Sequence, residues 1–77
     1  MKEQIIEILE QIKSGIDYEK AESLIDDKLL DSFDIISLIG ELTETFDVEI
    51  GVDDMLPENF NSVDAMCSLI NRLQDEI

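Results

Sequence analysis

Asp31-Ser32-Phe33-Asp34-Ile35-Ile36-Ser37-Leu38-Ile39-Gly40-Glu41-Leu42-Thr43-Glu44-Thr45-Phe46 is the stretch on which the reading of this chain turns. At about 100° per residue, Ile35, Leu38, Ile39, Leu42 and Phe46 fall on one arc, the core stripe of an amphipathic helix starting at Ser32 and ending near Phe46. Phe33, Ile36 and Gly40 lie on a second arc, off that stripe. Asp34, Ser37, Glu41 and Glu44 form a third, polar arc beside it. A helix in a small bundle ordinarily has one apolar arc, so a second one rimmed by carboxylates reads as a surface offered to another protein. The competing reading is that the long preceding loop covers Phe33 and Ile36.

The same period extends to both ends of the chain. Ile5, Ile8, Leu9, Ile12 and Ile16 mark one face of a helix from about residue 2 to Ser14, with Gly15 as its stop. Val63, Met66, Cys67, Ile70 and Leu73 repeat the spacing in a last helix, which Leu69 widens and Asn61 or Ser62 caps. Between residues 16 and 30 the pattern loosens into a long loop pinned by Ile16, Tyr18, Leu24, Ile25, Leu29 and Leu30, with a helical turn near Glu19 to Ser23. Asp47-Val48-Glu49-Ile50-Gly51-Val52 alternates like a strand. A lone strand would leave its backbone groups unpaired, so an extended connector that plugs Val48 and Ile50 into the core is the better reading. Asp53 to Phe60 holds one short helical turn, with Pro57 in it or ending it. The expected fold is all-α: three main helices plus a short one, with a long first loop, in one domain spanning residues 1–77.

Composition excludes several functions. With 77 residues, no histidine, no tryptophan and one cysteine, the chain lacks the commonest general base, an internal disulfide and an ordinary zinc site. Twenty acidic residues against five basic ones give a formal charge of −15, with no Lys or Arg between Lys28 and Arg72 while ten Asp and Glu occur there. Nucleic acid and anionic membranes are poor partners for such a surface. No apolar run is long enough to span a bilayer, and the N-terminus is not a signal peptide, so a soluble cytoplasmic protein is the expectation. A monomer is expected as well. Asp53, Asp54 and Glu58 lack the glycine-bearing pattern of a calcium loop, and no metal site is assigned. Cys67, on an apolar stripe, reads as a buried, unreactive thiol.

Ser32 carries two readings. As a helix-start residue it is an ordinary N-cap candidate. A serine there is also exposed, and a phosphodiester built on its hydroxyl would sit at the positive end of the helix. The motif Leu29-Leu30-Asp31-Ser32-Phe33-Asp34-Ile35-Ile36-Ser37-Leu38-Ile39, followed by Phe46-Asp47-Val48-Glu49-Ile50, resembles the phosphopantetheine signature of the acyl carrier and peptidyl carrier protein family. The likeness runs over essentially the whole chain.

That resemblance implies 4'-phosphopantetheine attached to Ser32, with Asp31 assisting the docking of a phosphopantetheinyl transferase. Phe33, Asp34, Ile36, Ser37, Gly40, Glu41 and Glu44 are the docking candidates. It further implies a carrier that is not itself an enzyme, has no catalytic residue of its own, and holds an acyl or aminoacyl thioester for a loading ligase and downstream acyl-transfer enzymes. Many fatty-acid carriers have glycine where this chain has Leu29, Glu where it has Ser37 and a bulky residue where it has Gly40. Leu-Leu-Asp-Ser-Phe is more similar to stand-alone aminoacyl carriers, D-alanyl carriers among them, which favours amino-acid or short acyl cargo over fatty or polyketide chains. The alternative from another class is an acidic protein-binding module of the same fold without a prosthetic group. Gly40, which costs about 1 kcal/mol relative to Ala inside a helix, fits close approach by a partner or by the arm, or simple drift at an exposed site.

Overall fold

The computed structural model describes residues 1–75. Its elements follow the helical period: α1 (Lys2–Ile12), α2 (Ser32–Phe46), a single 3-10 turn (Val52–Asp54), α3 (Pro57–Phe60) and α4 (Val63–Asp75). There is no strand among the described residues. The alternating stretch after Phe46 is an extended connector that buries Val48 and half-buries Ile50. Asp47 turns the chain out of α2 in the left-handed conformation (φ 53°), which Asp tolerates better than most residues.

Helices α2 and α4 both pack on α1, and α3 packs on α4. The core between them is wholly apolar: Ile5, Ile8 and Leu9 from α1, Leu38 and Leu42 from α2, and Val63, Met66, Leu69, Ile70 and Leu73 from α4. Ile35, Ile39 and Phe46 flank it, half-buried. Tyr18, Leu24 and Leu30 pin the long loop into this core as the sequence suggests, whereas Leu29 remains at the surface. The loop's turns fall at residues 18–20, overlapping the start of the expected turn near Glu19 to Ser23, and at 24–28.

Two details differ from the sequence reading. Helix α1 stops at Ile12 instead of Ser14, because Lys13 is extended and its carbonyl accepts the Tyr18 hydroxyl. Gly15, left-handed at φ 93°, then serves the loop and not the helix end. Cys67 is half-buried, not buried; desolvation, helped by the Asp64 carboxylate, pushes its thiol pKa up and favours the neutral thiol.

The second connector is tied down by polar groups. The Asp54 carboxylate meets Arg72 at 3.1 Å and accepts the Gly51 N–H at 3.4 Å, while the Asn59 amide donates to the Asp54 carbonyl at 2.8 Å. The Asp54 side chain is thus part of a structural tie to α4. One further ion pair among the described residues, Lys2 to Asp64 at 3.4 Å, links the starts of α1 and α4. Lys2 and Asp64 are well solvated and Arg72 is half-exposed, so both pairs add little stability.

Candidate functional site

The start of α2 is built by a reciprocal pair. Asp31 takes the N-cap position: its carboxylate accepts the Asp34 N–H at 2.9 Å, and the Asp34 carboxylate accepts the Asp31 N–H at 3.1 Å. Ser32 is therefore the first residue of the helix and not its cap, which corrects the N-cap reading. Its side chain is exposed, and its hydroxyl makes no hydrogen bond among the described residues. The assignment of the cap to Asp31 leaves a nucleophilic oxygen at the surface with nothing holding it.

The electrostatics of this end also differ from the simple expectation. A bare helix start would offer an anion its free N–H groups, but Asp31 and Asp34 already place two carboxylates there. A phosphodiester at Ser32 would find the helix field largely complemented, and among the described residues no basic side chain is paired with these acids. The features of the site that suit attachment are exposure and a free hydroxyl, with helix polarity contributing little.

Around Ser32 the three arcs of α2 separate as the wheel suggests. Leu38 and Leu42 are fully buried, whereas Phe33 is 81% exposed and Ile36 67% exposed, so the long loop does not cover the second apolar arc. Ser37, Gly40, Glu41 and Glu44 are exposed alongside it, and Asp34 is half-buried by its role in the cap. A Cβ added at Gly40 would meet nothing within 4 Å, so nothing inside this chain requires glycine there. Whatever need exists lies outside the fold.

Beside Ser32 an apolar groove of about 390 Å³ opens between α2 and the α3 region. Ile35, Ile36 and Ile39 form one wall; Met55, Leu56, Pro57 and Phe60 form the other, and Ile25 of the long loop reaches in as well. The sequence reading missed this second wall. Its one signal was the exposed apolar pair Met55-Leu56 immediately before Pro57 in an acidic stretch.

Asn61 was also missed as more than a cap. Ser62 caps α4, its hydroxyl accepting the Ala65 N–H at 3.0 Å. Asn61 instead reaches back across the molecule to the long loop, accepting the N–H groups of Ile25 and Asp26 on its side-chain oxygen.

A fold of this shape, with an unengaged serine at the start of its second helix and an acidic, partly apolar face beside it, is that of a small carrier domain. Residues 21–75 match the family model described as a phosphopantetheine attachment site. A D-alanyl carrier protein of Lactococcus lactis subsp. lactis (strain IL1403) is 33% identical over 79 aligned positions, covering 99% of each chain. One from Lactococcus lactis subsp. cremoris (strain MG1363) is 34% identical with the same coverage. Another, from Bacillus cereus (strain B4264), is 34% identical over 59 positions, or 69% of this chain and 70% of the relative. No solved structure is a significant match. The chain belongs to the phosphopantetheine-bearing carrier family, whose prosthetic group is 4'-phosphopantetheine. It is a carrier of acyl or aminoacyl groups that works with partner enzymes, and membership speaks against a binding module lacking the group. Among the described residues no helix is long and apolar enough to cross a membrane.

Proposed function

We propose that Ser32 is the attachment residue and that the unit 1–77 acts as one monomeric carrier domain, a cosubstrate and not a catalyst. The observation that carries this reading is the unbonded, exposed Ser32 hydroxyl on the first residue of α2, directly after the capping Asp31. In the attachment step the Ser32 oxygen attacks the pantetheine-side phosphorus of coenzyme A. A P–O bond forms to Ser32, the bridging P–O bond breaks, adenosine 3',5'-bisphosphate leaves, and the serine proton passes to a base. In the carrier family the base and the magnesium that neutralises the diphosphate are supplied by the transferase, and a chain without histidine agrees with that division of labour. The attached group supplies a terminal thiol that holds the cargo as a thioester.

The exposed Phe33, Ile36 and Gly40, rimmed by Asp34, Ser37, Glu41 and Glu44, form the proposed docking face for the transferase, a loading ligase and acceptor enzymes. Asp31 supports docking indirectly, by fixing the start of α2. The need for coenzyme A supports a cytoplasmic location.

For cargo, D-alanine or a similarly small amino acid is favoured by the similarity to D-alanyl carrier proteins over 99% of the chain. One observation favours a second reading, a fatty or polyketide acyl chain: the groove beside Ser32 is apolar, and a charged amino acid gains nothing from it. Intact mass after incubation with coenzyme A and a broad-specificity phosphopantetheinyl transferase tests the site. One added phosphopantetheine, mapped to Ser32 by peptide fragmentation, is the expected result, and modification of another serine overturns it. Competing the loaded protein's formation with D-alanine against octanoate, each with its activating ligase, decides the cargo.

A further inference from the structure

The stretch 19–30 has no regular helix, yet it delivers the chain to Ser32 and contributes Ile25 to the groove. Among the described residues, every hydrogen bond joining that stretch to a distant part of the chain ends on Asn61. The Asn61 carbonyl accepts the Leu24 N–H at 2.9 Å. Its side-chain oxygen accepts the N–H groups of Ile25 at 3.0 Å and Asp26 at 3.1 Å, and its amide donates to the Asp26 carboxylate at 3.1 Å. Asn61 closes the end of α3 immediately after Phe60, another lining residue of the groove.

The bonds continue toward the serine. The Leu24 carbonyl accepts the N–H groups of both Leu29 (3.0 Å) and Leu30 (3.2 Å), which closes the 24–30 turn, with Lys28 held left-handed inside it. Leu30 is buried, and the next residue is the capping Asp31. Asn61 therefore governs two things at once: where the Ile25 wall stands relative to α3, and the angle at which the chain enters α2.

We propose that Asn61 is a positioning residue for the Ser32 site, a clasp that joins the 24–30 turn to the end of α3 so that the loop wall of the groove and the start of α2 are presented in one arrangement. The inference rests on the reading of Ser32 as the attachment residue. The fold itself does not depend on the clasp, because Leu24 and Leu30 stay anchored in the core by apolar burial. Loss of the clasp frees the turn locally and leaves the bundle standing.

The test uses the full chain with Asn61→Ala, Asn61→Asp, and Asn61→Asp combined with Asp26→Asn, which exchanges amide and carboxylate and rebuilds the pair. Amide hydrogen exchange at Ile25 and Asp26 should quicken roughly tenfold in Asn61→Ala, which removes the acceptor of both N–H groups. It should quicken by a smaller factor in Asn61→Asp, whose carboxylate keeps an acceptor but loses the donor to Asp26 and repels it. Exchange at Leu9, Leu42 and Ile70 should not change. Transfer of phosphopantetheine to Ser32 should lose roughly fivefold in kcat/KM, through KM, and the exchange variant should restore both readouts.

Unchanged exchange at Ile25 and Asp26 overturns the clasp. Faster exchange with unchanged transfer overturns its positioning role and leaves Ser32 as the site, whereas no transfer to the unaltered chain overturns the reading of Ser32. If Asn61→Ala does not fold, Asn61→Asp read against the exchange variant decides: faster exchange in the single variant that the double variant restores supports the clasp, and equal exchange in both refutes it.

Discussion

Helices α2 and α4 begin with similar residues, Asp31-Ser32-Phe33-Asp34 and Asn61-Ser62-Val63-Asp64, and use them differently. At α4 the serine is the cap, its hydroxyl bound to the Ala65 amide, and the preceding Asn61 is free to reach the loop. At α2 the preceding Asp31 is the cap, and the serine is left with an unbound hydroxyl. A shift of one residue in the cap decides whether a serine holds its helix or is available for chemistry.

The largest effect that tests this contrast is chemical. Ser32→Ala should abolish transfer of phosphopantetheine, whereas Ser62→Ala should leave it intact. Intact-mass assays on both variants check this, and persistent modification of the Ser32→Ala protein would break the comparison at its root.

Next in size is the contrast between the two apolar faces that follow from the start of α2. Leu42→Ala empties a fully buried position and should cost about 2–5 kcal/mol in denaturant melts. Ile36, two-thirds exposed, should cost well under that on truncation and instead weaken binding of a transferase or ligase. Equal destabilisation by the two changes would show the second arc to be core.

The cap shift itself predicts a smaller, reciprocal difference in stability. Asp31→Ala and Ser62→Ala should each cost about 0.5–2 kcal/mol, as lost N-caps do, whereas Ser32→Ala should stay within about 0.5 kcal/mol. Urea titrations of the three variants give the values directly. A Ser32→Ala cost as large as that of Ser62→Ala would return Ser32 to the role of a cap.

The far end of α1 supplies a third way of serving a helix terminus, through Tyr18. Burial first, and then the nearby Glu10 and Asp34 carboxylates, raise the Tyr18 pKa above its ordinary value of 10.0. A raised pKa in the folded state means the neutral phenol is the favoured form. Its contribution is complete below about pH 10 and fades as pH climbs through the higher folded value. Tyr18→Phe should cost about 0.5–1.5 kcal/mol near neutrality and flatten the alkaline limb of a stability profile.

Salt should produce the smallest shift. The start of α4 has Lys2 near Asp64 at 3.4 Å, whereas among the described residues Asp31 and Asp34 have no paired base. Raising ionic strength should lift the melting temperature by a few degrees through screening of the −15 charge, while weakening association with a basic partner. Binding that ignores salt would remove the electrostatic part of the proposed docking.

Periodicity made α1, α2 and α4 legible, since Ile5-Ile8-Leu9, Leu38-Leu42 and Met66-Ile70-Leu73 each repeat the helical spacing and each is buried. The same arithmetic cannot choose between Asp31 and Ser32 as cap, because both are good caps and one residue moves no apolar side chain off its stripe. Nor can it say whether a loop covers Phe33 and Ile36, which depends on where Leu24 and Leu30 anchor. Asn61 was illegible for a different reason: its partners lie 35 and 36 positions away, and only the folded chain brings them together. The groove shares that cause, since its walls come from three separate segments.

The exposure of Phe33, Ile36 and Val52 has a colloidal consequence. At neutral pH, mutual repulsion between highly charged copies keeps these sticky surfaces apart in concentrated solution. Acidification toward zero net charge removes that repulsion while the apolar face stays in place. Mild acid should therefore drive the protein into clusters before it unfolds the bundle, with the start of α2 as the point of adhesion.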